Sequence, residues 1–276
     1  MANFGVAAVN RYPDVFPPAW ASAYGDDAYG LWAELTCNDA TQRLRWIAPG
    51  TFLMGSEGAL ADEDEKPQHP VTLSQGYWLA DTACTQAFWL AVVAGDNPSH
   101  FPQDLNCPVE RVSLWDIETR FLPVLQAALG EVAQVQLPSE AQWEYACRAG
   151  TRTAFAYGDT VTLEQVNYGD GSFANQQKKE KQPFRRRTVP VASLPPNPWG
   201  LYEMHGNVWE WCRDGRRDYA AAAVVDPEGP PGEIHAVRGG SWLYDARDAR
   251  SAFRGALRGS LRFGYLGFRW CLRSSR

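Results

Sequence analysis

The 276-residue chain contains no apolar run approaching the roughly 18 residues that a helical bilayer span requires. Its opening stretch "MANFGVAAVNRYPDVF" also lacks a basic segment followed by an apolar one, so neither a membrane helix nor a secretory leader is expected. The six cysteines form no CxxC pair and the four histidines no HxxxH pair, which argues against a zinc site. In the cytoplasmic setting these absences suggest, most of the cysteines are expected to be buried thiols. No G-x-S-x-G elbow is present, which leaves a nucleophilic serine triad without support. Low-complexity tracts and repeats of 20 to 50 residues are missing as well, excluding solenoids and propellers.

What is present is aromatic and rich in turn formers: Trp 12, Tyr 11, Phe 12, Gly 24 and Pro 19, with 45% hydrophobic residues. This composition predicts an α+β domain of short antiparallel strands and ordered loops, with two main helices. The first helix lies in "SLWDIETRFLPVLQAALG", where Ser113 caps, Asp116 and Glu118 favour the positive end, and Phe121, Leu125, Ala128 and Leu129 make one face. Pro123 must fall within the first turns or kink it. The second helix opens at Ser139 with Gln142 in a capping box and ends at Gly150. "RWIAPGTFLMGS" (Arg45 to Ser56) reads as a hairpin turning at Pro49 and Gly50. The acidic run "DEDEKPQH" is expected as a solvated loop, and the basic insert "QQKKEKQPFRRR" as a surface loop. Residues 1–45 are expected to form an N-terminal extension packed on a main domain of residues 46–276.

Net charge is −6, but nine arginines and two acids from Arg238 to Arg276 leave that segment at about +7. A basic tail raises the possibility of nucleic-acid binding. The arginines are interleaved with apolar and small residues and accompanied by no lysine, which favours packed stems whose forks bond to carbonyls or carboxylates. Upstream, "LPPNPWGLYEMHGNVWEWC" sets Glu210 between Trp209 and Trp211, where a buried carboxylate requires an ion or an arginine as partner.

The blocks "IAPGTFLMGS", "HPVTLSQGYWLADT", "CPVERVSLWD", "LPSEAQWEYACRAG", "NPWGLYEMHGNVWEW", "RGGSW" and "LGFRW" resemble, in order, the formylglycine-generating enzyme (sulfatase-modifying-factor) family. The resemblance implies a C-type-lectin-like fold poor in regular structure. It also implies a structural Ca²⁺ held by Glu203 and Glu210 with the carbonyls of Gly206 and Val208, Glu210 pairing with a C-terminal arginine being the alternative. Related enzymes bridge positions similar to Cys147 and Cys271. The family's oxidases carry two copper-binding cysteines whose matching places here are about Tyr244 and Ala249, so the thiol chemistry lacks its residues and no copper is expected. His69, His100, His205 and His235 are not spaced as the iron ligands of a carbon–sulfur bond-forming relative.

The tail, residues 238–271, more closely resembles the variable region of proteins encoded with diversity-generating retroelements. Adenine randomisation of AAC codons in such systems cannot yield Lys, Glu, Gln, Met or Trp, and none of these occurs from Leu243 to Arg269. The expected framework is Gly239, Gly240, Trp242, Ala246, Arg247, Arg250, Arg254, Gly267, Phe268 and Arg269. The expected ligand-binding positions are Leu243, Tyr244, Asp245, Asp248, Phe253, Gly255, Ala256, Leu257, Ser260, Leu261, Phe263, Gly264 and Tyr265, a mixture of large aromatics and small residues suited to a contact surface. The expectation is a monomeric, non-catalytic protein that binds a protein or other macromolecule. The competing expectation is a copper-dependent formylglycine-generating oxidase acting on sulfatases.

Overall fold

A computed structural model describes residues 11–169 and 184–274. Strand β1 (Ala23–Asp27) turns into β2 (Gly30–Cys37), and β2 into β3 (Ala40–Ile47) through Asn38, which takes a left-handed φ of 50°. Then follow β4 (Gly50–Met54), β5 (His69–Leu73), β6 (Tyr77–Ala80), helix α1 (Gln86–Val92), the single turn α2 (Leu114–Asp116), α3 (Leu122–Leu129), β7 (Ala133–Gln136) and α4 (Glu140–Arg148). The second half contributes β8 (Trp209–Gly215), β9 (Val224–Val225), β10 (Ile234–Arg238), β11 (Gly255–Arg258), β12 (Leu266–Gly267) and β13 (Cys271–Ser274). No helix among the described residues is long and apolar enough to cross a membrane.

Three sheets result. The largest has the order β1-β2-β3-β6-β13-β7, so the last strand of the chain is inserted between β6 and β7. A second sheet runs β11-β10-β8-β12 and a third β4-β5-β9. Pairing is antiparallel except at the two-residue strands β12 and β9, which lie parallel to β8 and β5. The expected boundary at residue 45 falls inside β3, and residues 23–47 provide half of the largest sheet.

Two sequence expectations fail for identifiable reasons. The hairpin at Pro49 and Gly50 does not form: β3 pairs with β2 and β6, whereas β4 pairs with β5 in another sheet. The Ala48-Pro49 link is a corner between sheets. Gly50 is needed there because a Cβ would lie 2.2 Å from the Tyr145 hydroxyl. The acidic run is not solvated throughout either, since Glu65 is fully buried against Arg250, while Asp62 and Asp64 pair with Arg247 and Arg216. Of the basic insert, residues 176–183 lie outside the described residues.

The two expected helices are present. The first is broken into α2, a π turn over Ile117–Phe121, and α3, with Pro123 in the opening turn of α3 where its missing N–H is tolerated. Helix α1, capped by Thr85, carried no sequence expectation. Its residues "QAFWLAV" are nearly all apolar, so the amphipathic period is hidden. α4 is the spine of the molecule: every one of its residues is buried, and it packs on β4, β8 and β10. Its capping box is closed by Ser139 Oγ accepting from Gln142 N at 3.2 Å and Gln142 Oε1 accepting from Ser139 N at 2.9 Å. Ser139→Ala leaves an amide unsatisfied in a buried helix start. The expected cost is about 1–2 kcal/mol, read as a lower urea midpoint at unchanged m-value, and an unmoved midpoint would show that water replaces the cap.

Candidate functional site: a half-exposed aromatic face on buried arginine anchors

The basic tail is mostly consumed inside the protein. Arg250 bonds both oxygens of Glu65 at 2.9 and 2.6 Å, and Arg254 both oxygens of Glu140 at 2.7 Å. Arg269 bonds both oxygens of Glu210 at 2.7 and 2.9 Å, and Arg238 pairs with Glu144. All eight side chains are buried. Glu140 and Glu144 stand four residues apart on α4, so one helical edge receives Arg254 and Arg238 together. Flanking arginines hold the Glu140 carboxyl below its usual range despite the opposing effect of burial. The terminal nitrogens of Arg238 also donate to the carbonyls of Ser251, Ala252 and Phe253, and Arg254 reaches those of Asp64 and Arg217. These guanidiniums fix the backbone of residues 238–254 from below, which favours the packed-fork reading over a phosphate-binding tail.

A neutral histidine adds another anchor. Burial drives His205 down to about 4. Its ring meets the Ala249 carbonyl through Nδ1 at 2.7 Å and accepts from Ala156 N through Nε2 at 3.1 Å, which assigns the proton to Nδ1. The φ of 80° at the neighbouring Gly206 admits the chain against Asn167, whose carbonyl oxygen would lie 2.4 Å from a Cβ there.

Above these anchors, none of the expected ligand-binding positions is buried. Asp245 is exposed, and Leu243, Tyr244, Asp248, Phe253, Gly255, Ala256, Leu257, Ser260, Leu261, Phe263, Gly264 and Tyr265 are half-buried. Most of the expected framework is buried, with Trp242, Ala246 and Arg247 as exceptions. The face is aromatic: Tyr244 meets Tyr265 edge-on at 5.3 Å, Phe263 stacks on Tyr265 at 5.0 Å, and Trp209 underlies both Tyr244 and Phe253 at 5.8 Å. Burial and a hydrogen bond with Tyr244 push the Tyr265 phenol well above its usual range. Burial, then the neighbouring Asp245, raises Asp248 to about 6. Asp245 also caps the short 3₁₀ turn Ala246–Ala249 through Arg247 N.

The way this segment is held matters for what it can do. The Tyr244 carbonyl accepts from Gly169 N, the Gly259 carbonyl from Trp115 N, the Phe263 carbonyl from Arg111 N and the Tyr265 carbonyl from Trp209 N, at 2.8 to 3.4 Å. Trp242 Nε1 donates to the Gly264 carbonyl at 3.0 Å. These anchors grip main chain, so the side chains above them are not needed for register. One position is less free: a Cβ at Gly255 would lie 2.7 Å from Val237 Cγ2, so a larger residue there must displace a buried neighbour. Two neighbours of the face carried no sequence expectation, Trp115, 58% exposed beside Gly259, and the exposed Arg111 behind Phe263. The only sequence signal for them was the capping turn at Ser113, which presents Trp115 outward.

The residues named for Ca²⁺ do not present an available carboxylate pair. Both Glu210 oxygens are taken by Arg269, and one also accepts from Trp143 Nε1 at 2.7 Å, so a cation there would have to displace a guanidinium. The C-terminal arginine expected as the alternative partner of Glu210 is Arg269. Glu203, raised to about 7 by burial, accepts from the amides of Ala192 and Leu194. The bridge between Cys147 and Cys271 is not formed: both thiols are free and buried, pushed up to about 12 and about 11. Cys147 lies against His205 and Ser251, and Cys271 sits in β13 between β6 and β7. Of the two positions expected to match the oxidase cysteines, Tyr244 lies on the face and Ala249 is buried above His205.

Residues 33–274 match the sulfatase-modifying factor enzyme 1-like domain. The formylglycine-generating enzyme of Streptomyces coelicolor is 37% identical over 174 residues, 59% of this chain and 52% of that protein. That of Thermomonospora curvata is 31% identical over 209 residues, 71% of this chain and 58% of that protein. The chain thus spans little more than half the length of these curated relatives. Among solved structures, Treponema denticola variable protein 1 superposes with a TM-score of 0.74 at 25% identity, covering 88% of this chain and 99% of that one. On a C-type-lectin-like α+β fold, the chain belongs to the sulfatase-modifying factor enzyme 1-like domain family.

Proposed function

We propose that this protein is a non-catalytic binding protein whose diversifiable face, between Leu243 and Tyr265, recognises a macromolecular ligand. The observation that carries the reading is the division of labour in that segment: its carbonyls are held by framework donors, while its side chains stay partly exposed above the core they rest on. Such an arrangement tolerates change of specificity without change of fold. Tyrosine and phenylalanine give large contact area at low entropy cost, and Ser, Gly and Ala adjust the shape between them. The likeness to a protein named as variable supports this reading.

A library randomised at Tyr244, Leu257, Ser260, Leu261 and Tyr265 should remain largely folded by thermal melting, because none of these positions is fully buried or a helix cap, the settings in which single substitutions become very costly. Panning that library against an unrelated folded protein is expected to return specific binders. A library that mostly unfolds would sink the proposal. The relatives' printed name offers the competing reading, formylglycine generation. Copper-dependent oxidation of a cysteine-bearing sulfatase peptide by this protein would establish it, and no turnover is expected.

A further inference from the structure

At the edge of the face, a cavity of about 260 Å³ is walled by Arg111, Arg120 and Arg262 over a floor of Trp89 and Val112. Asp116 is the one acid lining it. That carboxylate is already saturated: it accepts from Arg262 at 2.7 and 2.8 Å and from Ser113 N and Oγ at 2.9 and 2.6 Å. Arg120 reaches it only at 3.9 Å. These bonds hold Asp116 down to about 2, so it stays ionised and neutralises one of the three guanidiniums. Arg120 approaches that acid only at the longer range and Arg111 makes no ion pair with it. Arg120 is about half exposed and Arg111 is exposed, so both can turn towards an incoming group.

We propose that this cavity is an oxyanion subsite and that its occupant is a carboxylate, an Asp or Glu side chain of a protein ligand. The proposal deepens the reading of the face as a binding surface and rests on it for the identity of the ligand. The subsite and the face are physically joined, since Arg111 N holds the Phe263 carbonyl at 3.0 Å and Arg262 directly precedes Phe263. An acidic side chain seated among the arginines would thus bring its neighbours onto Phe263 and Tyr265. A nucleic acid fits less well. A phosphate backbone needs a track of cations, whereas Arg238, Arg250, Arg254 and Arg269 are buried and paired, which removes four cations of the tail from such a track. Guanidinium forks suit the planar carboxylate through paired bonds.

The test is titration calorimetry at low salt with three probes: an acetylated hexaglutamate peptide, inorganic phosphate and a short single-stranded DNA. The protein variants are Arg111→Ala/Arg120→Ala and, as an exposed control away from the cavity, Arg152→Ala. Hexaglutamate is expected to bind at least tenfold more weakly to the double arginine variant, at unchanged melting temperature, and equally well to Arg152→Ala. Equal loss in Arg152→Ala would reduce the effect to net charge and overturn the subsite. Absence of hexaglutamate binding overturns it as well. Binding of phosphate or DNA but not hexaglutamate, dependent on Arg111 and Arg120, would overturn the carboxylate assignment. The library experiment reads the face without hexaglutamate, so a failed subsite remains distinguishable from a failed face.

Discussion

Arg269→Leu is expected to destabilise the protein by about 3–5 kcal/mol, because it leaves a charged carboxylate buried with no cation beside it. Glu210 is 1% exposed, and after the substitution its remaining partner is the indole N–H of Trp143. The loss extends beyond the ion pair. Arg269 also donates to the carbonyls of Ala80, Asp81 and Tyr202, so one side chain ties β6 and the 200–204 loop to the start of β13. Native domains are stable by only about 5–15 kcal/mol, so a large part of the margin disappears and the urea midpoint should fall steeply. The double variant Arg269→Leu/Glu210→Leu removes both charges and is expected to recover part of the loss, since the main penalty is the stranded carboxylate. If the double variant is no more stable than Arg269→Leu alone, the stranded carboxylate is not the main penalty.

The same arginines show what could be read from the sequence. Their interleaving with apolar and small residues pointed to packed forks, and the capping box at Ser139 located α4 because both signals are local. Part of the tail's burial pattern was also legible, since Gly239, Gly240, Arg250, Arg254, Gly267, Phe268 and Arg269 were expected as framework and are buried. Where local patterns ran out, so did the reading. Nothing near Pro49 shows that β3 and β4 choose different partners, because β6 and β5 are distant competitors for their edges. Glu65 sits in a run of acids that looks solvated, and only an arginine 185 residues away buries it. Arg111 was equally hidden: its significance depends on Arg120, Arg262 and Phe263 meeting it in three dimensions.

Acidification should loosen the support of the face through His205. The unfolded chain titrates near the usual 6.5 and the folded protein near 4, so between these values the unfolded state binds a proton that the native state refuses. Stability from this group is therefore complete above about pH 6.5 and is lost as pH falls towards 4, a change of about 3 kcal/mol. Other groups oppose it: Glu203 and Asp81, both raised to about 7 by burial, make the native state more stable as pH falls from 7 towards their unfolded values. The informative quantity is thus the difference between the protein and His205→Gln, whose amide can still donate to Ala249 and accept from Ala156. The stability gap between the two should shrink or reverse by about 3 kcal/mol between pH 6.5 and 4 in urea titrations. Parallel pH curves would mean that His205 is protonated in the native state, and that the anchor beneath Ala249 differs from the one described. A matching drop in the protection of the Ala249 to Ser251 amides against hydrogen exchange would place the loosening directly under the face. That coupling follows from geometry, since the ring bonds the Ala249 carbonyl and Ser251, fully buried, bonds the Ala154 carbonyl beside the same ring's partner, Ala156.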